Sequence, residues 1–154
     1  MTSVALVVSE YHAFITDGLE TGARGALAEA GWADDEVETF LVPGAFELPQ
    51  AAQRLAESRR FAAVVCLGCL IRGETPHFDY IAQAASAGIM RAAQTTGVPV
   101  AFGLLTTNTV EEAVARSTPG PTNKGREAAM AAAAMVRLYV RLSGDGSDGD
   151  WDGS

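Results

Sequence analysis

Residues 61–80 of the 154-residue chain read FAAVVCLGCLIRGETPHFDY. The first eleven of these residues form an apolar run rich in Val, Leu and Cys, which is typical of a buried strand. A short polar loop follows, and from Phe78 onwards apolar residues recur at helical spacing. In open α/β sheets ligands bind at the carboxyl ends of the strands. His77 lies at that point, and imidazole is the side chain best suited to moving protons near neutral pH.

The same strand, loop and helix unit recurs along the rest of the chain. Strands are predicted at 4–8, 37–42, 61–71 and 98–105. Helices are predicted at 14–30, 47–58, 78–95, 110–116 and 124–142. Gly31 and Gly97 stand where two of the helices should end, and Asn123 is the expected N-cap of the last helix.

This alternation predicts one α/β domain over residues 1–142. Right-handed crossovers would give a four-stranded parallel sheet with helices on both faces. The exposed edges of so small a sheet, together with the Ala-rich last helix, favour a homo-oligomer. The remaining residues, 143–154, form an acidic Gly/Asp-rich tail that is expected to be disordered.

The loops that follow the predicted strands all lie on one edge of such a sheet. They are 9–12, 43–46, 72–77 and 106–109. Together they supply an aromatic side chain, a Gly-containing turn, a histidine beside free amides, and hydroxyl groups. Because several kinds of group converge there, we expect a binding site at this edge.

Composition narrows the classes of partner. The net charge of −8 argues against nucleic acid, because phosphate binding by counterion release needs a basic face. No apolar run approaches the roughly 20 residues that a bilayer-spanning helix needs, so no membrane association is expected. The first residues lack the basic segment of a signal peptide, and the cytoplasm is therefore the expected location.

Cys66 and Cys69 form a Cys-x-x-Cys pattern, which invites a redox or metal interpretation. Both lie inside a predicted strand, where positions three apart point to opposite faces of the sheet. We therefore expect two buried thiols that pack as small apolar side chains, and neither a redox pair nor a metal site.

Four motifs at consistent spacing resemble the lumazine synthase family of riboflavin biosynthesis. They are VPGAFELP at 42–49, LGCLIRGETPHFDY at 67–80, FGLLTT at 102–107 and NKG at 123–125. The motifs occur in order, and the match runs from about residue 4 to residue 142. The resemblance implies a flavodoxin-like three-layer α/β/α subunit that assembles as a homopentamer, with each active site between adjacent subunits.

The resemblance also implies a reaction. Members of the family are transferases that condense 5-amino-6-(D-ribitylamino)uracil with 3,4-dihydroxy-2-butanone 4-phosphate, releasing phosphate and water, without a metal or organic cofactor. Schiff-base formation, β-elimination of phosphate and ring closure all move protons between weak acids and bases. One histidine can serve such steps in both directions.

Site residues follow from the resemblance position by position. His77 would transfer protons, and Tyr11 would stack on the pyrimidine ring. The other positions within one subunit are Ala45, Phe46 and Glu47 on the ribityl side, Cys69, Leu70 and Ile71 as backbone contacts to the ring, and Gly73, Glu74 and Thr75 as the phosphate loop. The neighbouring subunit would contribute Phe102, Arg116, Lys124 and Glu127.

Three features depart from the family pattern. Glu10 stands where the family often has Arg, and Gly120 lies in a region where many members carry an extra lysine. With Glu74 as a further anion, the phosphate pocket should be less positive. The first strand begins within a few residues of Met1, whereas capsid-forming members carry an additional N-terminal strand. A pentamer is therefore expected in preference to a 60-subunit shell.

Other functions fit the same fold. Glu10 and the missing lysine favour a non-catalytic lumazine- or flavin-binding member of the family, whereas the intact His77 and Arg116 favour the enzyme. Riboflavin synthase of the archaeal type is a weaker alternative, because RGETPH matches the lumazine synthase loop. Only the sheet edges and the Ala-rich helix argue for a purely structural shell component. Arg116 and Lys124 could also be simple helix-terminal cations.

Overall fold

A four-stranded parallel sheet forms the centre of the structure, a computed structural model that describes residues 3–73 and 76–144. Its strands are β1 (Ser3–Ser9), β2 (Val37–Val42), β3 (Phe61–Ile71) and β4 (Val100–Thr107). They lie in the order β2-β1-β3-β4, and all three neighbouring pairs are parallel. The predicted α/β architecture is confirmed.

Strand β4 begins and ends two residues later than the pattern 98–105 predicts. Thr106 and Thr107 are polar, yet they continue the ladder by pairing with Leu70 and Ile71 of the longer strand β3. The difference arises because register with a neighbour, and not hydrophobicity alone, decides where a strand ends.

Helices cover both faces of the sheet. They are α1 (Ala13–Glu29), α2 (Leu48–Glu57), α3 (His77–Thr96), α4 (Val110–Ala115) and α5 (Lys124–Leu142), with 3-10 turns at Asp34–Glu36 and Ala45–Glu47. Gly31 and Gly97 follow α1 and α3 with φ of 110° and 76°, a backbone conformation that favours glycine, so both predicted helix ends are confirmed.

Alternate residues of the strands face two separate cores. Leu6, Val65 and Leu105 point toward α1 and α5, whereas Val7 and Leu104 point toward α2 and α3. This alternation is the period of two that a strand imposes, and it builds the predicted three-layer α/β/α sandwich.

The Ala-rich helix α5 has one side buried within the chain. Ala128, Ala129, Ala132 and Ala133 are buried within the chain, where α5 packs against α1 and the sheet. A Cβ at Gly125 would overlap the carbonyl of Leu19, so the two helices approach very closely. These four alanines serve packing within the chain, whereas Ala131 and Ala134 of the same helix are exposed.

The strand order determines where a ligand cavity can form. From β1 the chain moves outward to β2, and then returns past β1 to β3 and β4. The direction therefore reverses between β1 and β3, and the loops that leave these two strands diverge to opposite faces. A crevice results at their carboxyl ends.

The structure bears on membrane insertion, and it covers only part of the predicted tail. Within the residues that the structure describes, no helix is long and apolar enough to cross a membrane. Residues 145–154 of the predicted disordered tail lie outside the described ranges, so the boundary at residue 142 stays a prediction.

The two cysteines are free and buried on opposite faces of β3. Cys66 belongs to the core under α2 and α3, and Cys69 to the core under α1 and α5, as the sequence predicts. Burial raises the pKa of the Cys66 thiol from 9.0 to about 12 and that of Cys69 to about 11.

We expect neither thiol to react readily with Ellman's reagent in the native protein at pH 8, because both are inaccessible and the thiolate is the nucleophile. Both should react once guanidinium unfolds the chain. The unfolded chain loses these protons at lower pH than the folded protein, so the free energy of unfolding should fall as pH rises above 9.0. Rapid labelling of either cysteine in the native state would contradict the burial.

Candidate active site

A cavity of about 530 Å³ lies at the carboxyl edge of the sheet, above the reversal point between β1 and β3. Its walls come from the loops after β1, β2 and β3, from the first turns of α3, and from the start of α4. The lining residues are Tyr11, His12, Gly44, Ala45, Phe46, Glu47, Leu70, Ile71, Gly73, His77, Phe78, Ile81 and Val110.

The first wall is the loop that joins β1 to α1. Tyr11 is 68% exposed, and its ring meets the His12 ring edge-on with centroids 4.7 Å apart. His12 adopts a left-handed conformation (φ 63°), and its carbonyl accepts hydrogen bonds from the backbone amides of Ile15 and Thr16. The sharp turn at His12 thus starts α1 and leaves Tyr11 in the lining of the cavity.

The second wall is the turn that joins β2 to α2. It is tied to the first wall, because the amide of Tyr11 donates to the carbonyl of Pro43 over 3.2 Å. Gly44 leads into the 3-10 turn Ala45–Glu47, in which Ala45 is buried and Phe46 is 53% exposed. Phe46 and the half-buried Glu47 therefore add a second aromatic and a carboxylate to the cavity.

The third wall joins the end of β3 to the start of α3. Leu70, Ile71 and Gly73 line it, and His77, the first residue of α3, is exposed beside them. The helix begins without a side-chain cap, because its N-cap is Pro76. Glu74 and Thr75 of the predicted phosphate loop lie outside the described residues.

Several predicted residues do not reach this cavity within one chain. Cys69 is buried beneath it, so only its backbone remains available. Phe102 lies on edge strand β4, with 42% of its surface exposed. Arg116, Lys124 and Glu127 form a separate group, in which Lys124 Nζ lies 2.7 Å from Glu127 Oε1. The described lining of the cavity contains no arginine or lysine.

The segment that carries the two cations is nevertheless well anchored. The backbone amide of Lys124 donates to the carbonyl of Arg116 over 2.8 Å, which closes the intervening loop. Inside this loop Asn123, which is 1% exposed, caps α5 by accepting a hydrogen bond from the Arg126 amide. Its Nδ2 lies 3.0–3.1 Å from three carbonyl oxygens, those of Gly18, Ser117 and Thr118.

One ion pair outside the cavity strengthens this anchorage. Arg126 donates from both terminal nitrogens to the carboxylate of Glu29 at the end of α1, each over 2.8 Å. The hydrogen bonds and charge of Arg126 lower the pKa of Glu29. The pair lies at the surface of the protein, where solvent screens the charges, so it adds orientation more than stability.

Five lining residues were missed by the sequence analysis: His12, Gly44, Phe78, Ile81 and Val110. His12 and Gly44 lie within the predicted strand-end loops, so the convergence of those loops already pointed to them. Phe78 and Ile81 are three apart, and that spacing on a helix puts both on one face. Among the described residues, no group of three or more His, Cys, Asp or Glu could hold a metal ion.

Fold and cavity together define a doubly wound, flavodoxin-like α/β protein with a cavity at the reversal point of its sheet, where proteins of this class bind ligands. Residues 1–140 match the family model of 6,7-dimethyl-8-ribityllumazine synthase. The chain therefore belongs to the 6,7-dimethyl-8-ribityllumazine synthase family, as its four motifs predict.

Individual relatives agree with the family match. The chain is 49% identical over 137 residues to 6,7-dimethyl-8-ribityllumazine synthase of Syntrophus aciditrophicus (strain SB), covering 89% of each protein. It is also 49% identical over 139 residues to 6,7-dimethyl-8-ribityllumazine synthase 1 of Caulobacter vibrioides (strain ATCC 19089 / CIP 103742 / CB 15), covering 90% of this chain and 91% of the relative. The similarity thus spans nearly the whole domain.

Two glycines of α1 offer a matched test of the Asn123 anchor. A Cβ at Gly22 would overlap the Asn123 carboxamide, whereas a Cβ at Gly25 meets nothing within 4 Å. Alanine is favoured over glycine inside a helix, so Gly25→Ala should raise the free energy of unfolding by about 0.5–1 kcal/mol. Gly22→Ala should lower it by about 1–3 kcal/mol, because Asn123 can move only by breaking its hydrogen bonds.

Urea unfolding followed by circular dichroism measures both variants. Equal stabilisation by the two substitutions would mean that Asn123 is not held against α1.

Proposed function

We propose that this chain catalyses the condensation of 5-amino-6-(D-ribitylamino)uracil with 3,4-dihydroxy-2-butanone 4-phosphate to 6,7-dimethyl-8-ribityllumazine, a transferase step of riboflavin biosynthesis. The observation that carries the proposal is the 49% identity, over about nine-tenths of the chain, to two proteins named for this product. A location in the cytoplasm stays a prediction.

The cavity has the character that the pyrimidine substrate requires. Its volume of about 530 Å³ falls in the range of small-molecule sites. Tyr11 and Phe46 offer exposed aromatic faces against which a flat heterocycle would stack, and Glu47 offers acceptors to ribityl hydroxyls. Leu70 and Ile71 line the floor, where backbone groups of β3 would meet the ring.

His77 is the proposed proton-transfer residue. The amine of the pyrimidine adds to the ketone of the second substrate, and loss of water gives a Schiff base. Proton removal from carbon then expels phosphate, and attack by the ribitylamino nitrogen closes the second ring with loss of the remaining water. Each step moves a proton at an atom next to the bound ring, and an imidazole at the cavity mouth suits that task.

Binding both substrates in one cavity supplies most of the remaining catalysis. Holding two reactants in a productive geometry replaces a bimolecular encounter, a contribution that reaches about 7–11 kcal/mol in favourable cases. No metal or organic cofactor is part of the proposal.

The phosphate half of the site is proposed to be shared between subunits. The butanone phosphate is anionic, yet the described lining of the cavity contains no arginine or lysine. The amides of Gly73, Glu74 and Thr75 would bind the phosphate, with the cations Arg116 and Lys124 arriving from a neighbouring subunit. Phe102 and Glu127 of that neighbour would complete the wall. We propose a homopentamer as the assembly, in preference to a 60-subunit shell.

A second candidate is a protein that binds lumazine or a flavin without making it. Glu47 places a carboxylate in a cavity whose described lining carries no lysine or arginine, which disfavours an anionic substrate. Glu10, which precedes Tyr11 in the chain, adds a further negative charge to the loop after β1. The presence of His77 on the cavity wall favours the enzyme.

The enzyme and the binding protein are separated by one assay. Wild-type protein mixed with both substrates should form fluorescent lumazine faster than the spontaneous reaction. His77→Ala should slow turnover by about 10²-fold, because a general acid and base is lost. Gln94→Ala, an exposed change in the last turn of the same helix, is the control. If the wild type gives no acceleration but quenches the fluorescence of added lumazine, the binding protein is the better description.

The shared site predicts complementation between two defective variants. Arg116→Ala should raise KM for the phosphate substrate, and His77→Ala should lower kcat. The two variants are then unfolded together and co-refolded. Random assortment should restore about a quarter of the sites, namely those that take His77 from an Arg116→Ala chain and Arg116 from a neighbouring His77→Ala chain. Activity that never exceeds the sum of the separate variants would place both residues in one chain's site.

Light scattering measures the assembly directly. A particle of five times 16.0 kDa is expected. A mass near sixty times 16.0 kDa would contradict the preference for a pentamer, and a fully active monomer would contradict the shared site.

A further inference from the structure

Arg72 is the first residue after β3, and it does not line the cavity in the described structure. Its backbone amide donates to the carbonyl of Thr107 over 2.9 Å, which extends the pairing of β3 with β4. Among the described residues, three further contacts of its side chain stand out. Nε donates to Asn108 Oδ1 over 3.0 Å, Nη1 lies 3.4 Å from Asp79 Oδ1, and the guanidinium carbon lies 4.4 Å from the centre of the Phe78 ring.

One partner of Arg72 is a fixed point in the loop after β4. The amide of Asn108 donates to Glu112 Oε1 over 2.8 Å, and Thr109 caps α4 by accepting from the amide of Glu112. Thr107 Oγ1 donates to the carbonyl of Thr109 over 3.0 Å. Asn108 is therefore held on both sides, and it offers Arg72 an acceptor whose position is set by the sheet and by α4.

The other partners of Arg72 lie in the first turn of α3. Phe78 and Asp79 directly follow His77, and Phe78 is itself part of the cavity wall. This turn has no side-chain cap of its own, because Pro76 stands at the N-cap position. Contacts from outside the helix are then the means of fixing its orientation.

We propose that Arg72 is a positioning residue, which orients His77 by fastening the first turn of α3 to the loop after β4. This inference rests on the proposed function, in which His77 transfers protons. A planar guanidinium can meet an amide oxygen, a carboxylate and an aromatic face at once, whereas an ammonium group is a compact point charge. The role therefore requires arginine and not merely a positive charge.

A direct role in phosphate binding is the competing interpretation. Arg72 is adjacent to Gly73, and its side chain is 46% exposed. Its Nε and Nη1 are, however, already directed to Asn108 and Asp79. A phosphate ligand would act through charge, so it would mainly change KM for the phosphate substrate and would tolerate lysine. A positioning residue would mainly change kcat and would not tolerate lysine.

The experiment compares Arg72→Lys with Arg60→Lys. Arg60 is a matched control, because it also combines an ion pair, with Glu38 at 3.2 Å, and a ring contact, with Phe61 at 4.8 Å, but at the opposite end of β3. We expect Arg72→Lys to lower kcat by roughly 10-fold or more, since small displacements of catalytic groups have effects of this size. KM for the phosphate substrate should change little, and Arg60→Lys should match the wild type.

Variants of Asn108 test the same contact from its other side. Asn108→Ala should lower kcat as Arg72→Lys does, and the double variant should be no slower, because the two residues act through one contact. Asn108→Asp keeps an acceptor for Arg72 and should restore most of kcat. Additive losses, or no rescue by aspartate, would overturn the proposal.

Hydrogen exchange provides a readout that does not depend on activity. In Arg72→Lys the amides of Asp79 and Tyr80, which donate to the carbonyl of Pro76, should exchange faster, while those near the end of α3 should not change. Unchanged exchange and kcat, or a change confined to KM, would overturn the role of Arg72. An inactive wild type would instead reject the proposed function, and the exchange data would still decide whether the fastening exists.

Discussion

The parallel pairing of β1 with β3 is the constraint on which the rest of the structure depends. It brings Val8 opposite Leu67 and places β2 and β4 on opposite flanks. Because the chain reverses direction between these two central strands, their following loops diverge and leave a crevice. Tyr11 and His77 reach the same cavity only because β1 and β3 are neighbours, although 66 positions separate them in the chain.

The cavity in that crevice is separate from two cations that lie elsewhere in the chain. The cavity has aromatic and apolar walls, while Arg116 and Lys124 stand apart on a loop that Asn123 fastens to α1. Acidic residues outnumber basic ones in this chain, whose net charge is −8. Arg116 and Lys124 are nevertheless held at defined positions outside the cavity. If the site is shared between subunits, as proposed, the phosphate would bind only after assembly. The cavity of a single subunit would then lack the cations that an anionic substrate needs.

Most of the fold and part of the site were predictable, and the residues themselves show why. Apolar runs and helical spacing identified the strands and α-helices of the described residues, though not the two 3-10 turns, and the glycines at 31 and 97 marked two helix ends. Thr106 and Thr107 were not predicted as strand, because their pairing depends on the length of β3. The Ala-rich composition of α5 indicated close packing but not which surface it packs against, and the structure packs four of these alanines within the chain.

The sequence by itself determined the α/β class, the positions of the elements, and the motifs that identify the family, since these depend on local periodicity and on residue order. Only the tertiary structure decided which loops meet, which side chains reach the cavity, and that Arg72 joins Asn108 to the first turn of α3. Those facts depend on strand order and on contacts between residues far apart in the chain. Local sequence patterns do not predict the distances between such residues, because these distances are set by packing of the whole domain.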